Sequence, residues 1–213
     1  MVSPTSTQVK VWDPFVRIAH RTLAVGFFVA YLTEDEALTV HVWAGYLIGT
    51  LVLLRILWGF AGPQRARFTD FTYAPQVVFA YLNDLLRARA HRYLGHSPAG
   101  GAMVIALLLF LAATVGSGLI LYAEEEGAGP LASFYSPQAI SSANEAENEV
   151  DEDSKERRGK SSIEEVHEAL ANITLALVLL HIAGVILASF VHRENLAYAM
   201  ITGDKRAETT SGE

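Results

Sequence analysis

Four long apolar runs dominate this chain, each close to the ~20 residues a helix needs to cross a bilayer. They cover about 15–32, 40–60, 99–123 and 163–191, with Arg, Glu, Gly or Pro at their ends. In hydrocarbon every backbone amide must be bonded within the protein, so spans are helices or strands of a closed barrel, and runs of this length fit helices. The expected fold is an all-α membrane protein: a four-helix transmembrane bundle over residues 1–206, followed by a disordered tail at 207–213. Only 18% of the residues are charged, against about a quarter in a soluble domain. The first run ends in Tyr31, Leu32 and the acidic turn Glu34, Asp35, Glu36, with no small-residue cleavage site, so it reads as a retained span and not as a signal peptide.

Charge sets the expected orientation. Lys10, Arg17, Arg21, Arg55, Arg65, Arg67, Arg87, Arg89, Arg92, Arg193, Lys205 and Arg206 make 12 of the 16 cations, and four alternating spans put them all on one side. Because Lys and Arg favour the cytoplasmic side of short loops, both termini are expected in the cytoplasm of a bacterial inner membrane. The other side carries Glu34 to Glu36, Glu124 to Glu126 and an acidic outer loop over about 124–160, with its run from Glu145 to Glu156. Lys155, Arg157, Arg158 and Lys160 in that loop oppose this orientation but are outnumbered. Between the second and third spans, Val77, Val78, Tyr81, Leu82, Leu85 and Leu86 recur at helical spacing, which predicts a short amphipathic helix on the inner surface.

The chain has no cysteine. Disulfides, thiolate metal sites, iron-sulfur clusters held by Cys and thioether-linked haem are excluded together, and a cofactor must be held by His, carboxylate or packing. Four of the seven His, namely His20, His41, His167 and His181, fall inside or at the ends of spans, where an ionisable residue is costly and reads as functional. His167 and His181 are 14 residues apart, about 21 Å of rise and about 40° short of four full turns, so they face nearly the same way at two depths. Chain direction puts His167 at the level of His41 and His181 towards that of His20. A pair of imidazoles from facing helices suits a six-coordinate haem iron, a centre that moves single electrons. A single four-His metal site fits less well, since zinc needs its ligands within about 2.1 Å of one ion.

Gly45 and Gly49 follow His41 on one helical stripe, and Gly116 and Gly118 interrupt the third span. Such residues serve helix packing, or they leave a helix surface bare for a flat macrocycle. Arg17, Arg21 and Arg55 could neutralise haem propionates at the inner level, or serve as interfacial anchors. His91, His96 and His192 read as solvent-exposed; the alternative for His192, with Arg193, is a quinone head-group pocket.

The strings Val-Trp-Asp-Pro-Phe-Val-Arg-Ile-Ala-His at 11–20, His-Val-Trp-Ala-Gly-Tyr at 41–46 and Arg-Ile-Leu-Trp-Gly-Phe-Ala-Gly at 55–62 resemble the bacterial cytochrome b561 and nickel-iron hydrogenase b-type cytochrome family. Glu-Glu-Val-His at 164–167, His181 and His-Arg-Glu-Asn-Leu-Ala-Tyr-Ala-Met-Ile-Thr-Gly at 192–203 resemble the end of the same domain. The resemblance implies a membrane cytochrome with two haem b groups, His20 pairing with His181 around the inner one and His41 with His167 around the outer. It further implies electron exchange between membrane quinone and a periplasmic partner, a c-type cytochrome or a hydrogenase-like protein, or else a self-contained quinone oxidoreductase such as a superoxide oxidase. Membrane lipid is the other expected partner, and nucleic acid is not one. The acidic outer loop has no counterpart in the resemblance. An enzyme collecting an anion should present a cationic outer funnel, and Glu34 to Glu36 and Glu124 to Glu126 are of the opposite sign.

The charge distribution yields a direct test. A reporter fused after Glu213 is expected to behave as a cytoplasmic fusion, and activity of a periplasm-dependent reporter at that position would overturn the orientation.

Overall fold

Aspartate, serine and asparagine immediately before the helices decide where they start. Asp13 accepts from the Val16 amide at 3.1 Å and Pro14 follows, which opens α1, Pro14–Leu32. Ser97 and Pro98 open α5, Pro98–Glu125, in the same way, and Ser161 caps α6, Ser162–His192. Helix α2, Leu38–Ala61, is followed by a 3-10 turn at Gln64–Ala66, a single turn α3, Phe68–Phe71, and α4, Pro75–Leu86. Asn195 caps α7, Leu196–Thr202, and Gly203, at φ 92°, ends it where a side chain would be strained. In this computed structural model residues 8–34, 36–134 and 161–207 are described. The acidic run from Glu145 to Glu156, the four cations between 155 and 160, Asp35 and residues 208–213 of the tail lie outside them.

Helices α1, α2, α5 and α6 are long and apolar enough to cross a membrane. Each exceeds its expected apolar run at one end or both, because the caps lie outside the hydrophobic residues. The amphipathic pattern between the second and third spans forms α4, packed against α5 and α6. Ala30, Ala44, Ile48, Val52 and Leu108 make the buried core, with Leu23, Val104 and Leu111 against it. Small side chains at the contacts let helices approach closely, the usual solution where lipid is as apolar as the core. Large residues such as Val25, Leu109 and Leu180 point outward, as a lipid-facing surface requires.

The described residues also form elements that the helical pattern did not predict: the short turns at 64–66 and α3, helix α7, and a two-stranded ribbon. Strand β1, Gln8–Lys10, pairs antiparallel with β2, Asp204–Arg206, so the two ends of the domain emerge on one side. This ribbon end also holds α3, α4 and the loop before α5. Arg92 and Glu194 form an ion pair at 2.9 Å, and Lys205 Nζ donates to the carbonyls of Tyr93 and Leu94 at 3.0 and 3.1 Å. Burial pushes the Glu194 carboxyl up, but hydrogen bonds from Arg92 and the Arg206 amide, with the charge of Lys205, more than reverse this and leave it below the usual carboxylate range. The clasp therefore stabilises the fold above that range and is lost as acid protonates Glu194.

Gly101 sits where α5 crosses α3. A Cβ there would run into the carbonyl of Phe71, a residue with no exposed surface, whereas one on Gly116 would meet nothing within 4 Å. Gly101→Ala is expected to cost about 1–3 kcal/mol through overpacking. Gly116→Ala is expected to be neutral or to gain about 0.5–1 kcal/mol from helix propensity. Thermal unfolding of both variants in detergent checks the contrast.

Candidate functional site

At the end of the bundle away from the ribbon, His41 and His167 face each other across the space between α2 and α6, with ring centres 6.0 Å apart. His41 Nδ1 donates to the carbonyl of Ala30 at 2.9 Å. His167 Nδ1 donates to the carbonyl of Thr114 at 3.0 Å and lies 3.0 Å from Ser117 Oγ, whose hydroxyl itself donates to Thr114 at 2.9 Å. A carbonyl only accepts, so both Nδ1 atoms carry a proton, and in the neutral imidazole this tautomer leaves the lone pair on Nε2. Gly118 makes room for the His167 ring, because a Cβ there would stand 2.9 Å from Cε1. The rings open onto a cleft whose apolar walls include Phe27, Gly45, Val115 and Leu119.

Nearer the ribbon, His20 of α1 and His181 of α6 form a second pair with ring centres 6.2 Å apart. Two imidazoles bound to one ion through metal–nitrogen bonds of about 2 Å have ring centres roughly 6 Å apart, so both pairs have the spacing of an ion held between them. Among the described residues no three His, Asp or Glu gather around one point, which leaves no single site for all four histidines.

A sequence model of the prokaryotic cytochrome b561 family matches residues 11–203. The chain belongs to the prokaryotic cytochrome b561 family. It is a membrane b-type cytochrome that binds haem and works in electron transfer. Comparison with curated proteins finds no match, and neither does comparison with solved structures. In this cytochrome the donor set fits haem iron: imidazole nitrogens in two facing pairs, an apolar cleft beside one pair, and at that pair Nδ1 bonded to a carbonyl so that Nε2 is the ring atom left for a ligand bond.

The remaining residues singled out from the sequence separate. Gly45 lines the cleft with nothing within 4 Å of its would-be Cβ, whereas Gly49 packs on α5, where a Cβ would stand 2.9 Å from Val115 Cγ1. Gly49 therefore serves helix packing, while Gly45 leaves bare helix surface on the cleft. Arg17 donates to the carbonyl of Ile201 and ties α1 to α7. Arg55 is buried, 6% exposed, under the rings of Phe68 and Phe71. His91 is exposed as expected. His192 is half-buried, its Nε2 3.2 Å from the Tyr81 hydroxyl. His96 departs most from expectation: its ring is wedged between Trp12 and Phe71, with Nδ1 shut off from solvent. The loop reading failed there because the ribbon and α3 fold over it. Thr114 and Ser117 were missed as supports of His167. Two hydroxyl residues three positions apart in an otherwise apolar span were the available signal.

The cleft gives a steric test. Gly45→Leu is expected to leave helix content by circular dichroism unchanged while lowering haem content, because a Cβ there meets no protein atom and the longer side chain extends along the cleft that Gly45 lines. Full haem loading in this variant would show that the cleft is not where haem binds.

Proposed function

We propose that this cytochrome carries two haem b groups, one between His20 and His181 and one between His41 and His167, and passes single electrons between membrane quinone and a periplasmic redox protein. The observation that carries the reading is the two facing imidazole pairs at 6.2 and 6.0 Å, at different depths of one bundle. Haem held between these histidines would supply reversible one-electron redox chemistry, with both ligand positions taken by imidazole and none left for a substrate. The chain's own part is to fix the ligands. The carbonyls of Ala30 and Thr114 hold the outer rings in one tautomer and make the imidazoles stronger donors. The apolar walls keep water from the centre.

The ribbon end, with its Arg and Lys, faces the cytoplasm of a bacterial inner membrane in this reading, and the His41 and His167 pair lies on the periplasmic side. Glu34, Glu36 and Glu124 to Glu126 then edge the outer end. A cationic electron carrier such as a c-type cytochrome is steered to such a surface, whereas superoxide is repelled. The family's place in membrane electron transfer supports quinone as the other side of the exchange.

Purified protein is expected to give two haems per chain by pyridine haemochrome, both extractable by acid acetone since no Cys can form a thioether. His181→Ala is expected to remove chiefly the haem nearer the ribbon, and His167→Ala chiefly the other. One haem or fewer in a fully loaded preparation, or variants retaining both redox transitions, would count against the assignment.

A further inference from the structure

Arg55 is a buried cation without an ion pair. Among the described residues Arg65 pairs with Asp70 and Arg92 with Glu194, while Arg55 has no carboxylate in reach and its Nη1 is closed to solvent with no hydrogen-bond partner. Its guanidinium lies over the rings of Phe68 and Phe71, 5.5 and 5.8 Å from their centres. Asp13, the acid whose charge acts on it, is committed to capping α1. Leaving a buried charge uncompensated costs several kcal/mol as an order of magnitude, so the position calls for an anion.

His96 shares the Phe71 ring, 4.4 Å centre to centre, and its Nδ1 is likewise shut off and unpartnered. Burial, with the positive charges of Arg55 and Lys205, pushes this histidine down to about 3, so it is neutral around pH 7 and still has an N–H to donate. Two unpaired nitrogens of one buried cluster, one on a cation, make a donor set for a carboxylate.

The cluster is at the depth of the inner ligand. Contact of Phe15 with Trp58, and of Gly26 with Ile48, gives the antiparallel register of α1 and α2, which brings Arg55 opposite Ile18 and Ala19, next to His20. Of the other two cations considered for this role, Arg21 donates to the Arg17 carbonyl and Arg17 to Ile201, although Arg17 Nε is itself buried without a partner. We propose that Arg55 and His96 form a carboxylate-binding site that takes one propionate of the haem held by His20 and His181. The proposal rests on the reading of that pair as a haem site and adds to it a residue from the loop before α5. Haem seated this way ties the bundle to the loop that the ribbon covers.

The test compares protohaem with its dimethyl ester, which lacks the charged propionates, in titrations of haem-depleted full-length protein, followed through the redox transition that His181→Ala abolishes. Wild type is expected to bind protohaem at this position at least about 10-fold more tightly than the ester, the scale of a hydrogen bond to a charged group. Arg55→Gln and His96→Phe are each expected to remove most of that preference while loading of the other haem, which reports the fold, is unchanged. Equal binding of acid and ester by wild type, or a preference untouched by both variants, would overturn the proposal while the haem assignment stands. Failure of both haem forms to bind wild type here would instead overturn the haem reading on which the proposal rests.

Discussion

An imidazole at membrane depth is costly unless its polar atoms are engaged, and at the far end one nitrogen of each ring is satisfied by a helix carbonyl. At His41 and His167 Nδ1 donates to a helix carbonyl, and among the described residues no hydrogen bond reaches Nε2. Thr114 and Ala30 are helical residues whose carbonyls already serve the backbone, so each histidine borrows the second lone pair of an occupied acceptor. The bundle accordingly packs through small residues at Gly45, Gly49 and Gly118. These bring α2 and α5 together or leave room beside the rings, and each does one of those tasks and not both.

The two ends of the bundle solve different electrostatic problems. The ribbon end concentrates Arg and Lys, and pairs or buries several of them: Arg92 with Glu194, Lys205 on loop carbonyls, Arg55 under two aromatic rings. The opposite end leaves carboxylates at Glu34, Glu36 and Glu124 to Glu126 exposed around the His41 and His167 cleft. A potential gradient of this kind orients the chain in the membrane and selects the charge of what approaches each surface.

The fold was legible in the sequence to the extent that apolar length and caps dictate it. Four spans, the amphipathic α4 and the pairing of histidines by depth all follow from residue spacing, because a helix converts spacing into position. What spacing does not encode is contact between segments far apart in the chain. The β1 and β2 ribbon joins residues about two hundred apart in sequence through three-residue strands too short to carry a pattern. His96 was misplaced for the same reason, since Trp12 and Phe71, which enclose it, come from the first strand's exit and from a single helical turn. Arg55 was singled out as a cation near the inner level, but its burial without a carboxylate emerges only once α3 is folded against α2.

The central claim is that two iron centres are each held by two imidazoles in one bundle. Electron paramagnetic resonance of the air-oxidised, purified protein tests it most directly, because two axial nitrogens force ferric haem into the low-spin state. The account predicts two distinct low-spin ferric species and no high-spin signal. A single low-spin species in fully loaded protein, or dominant high-spin iron, would contradict it.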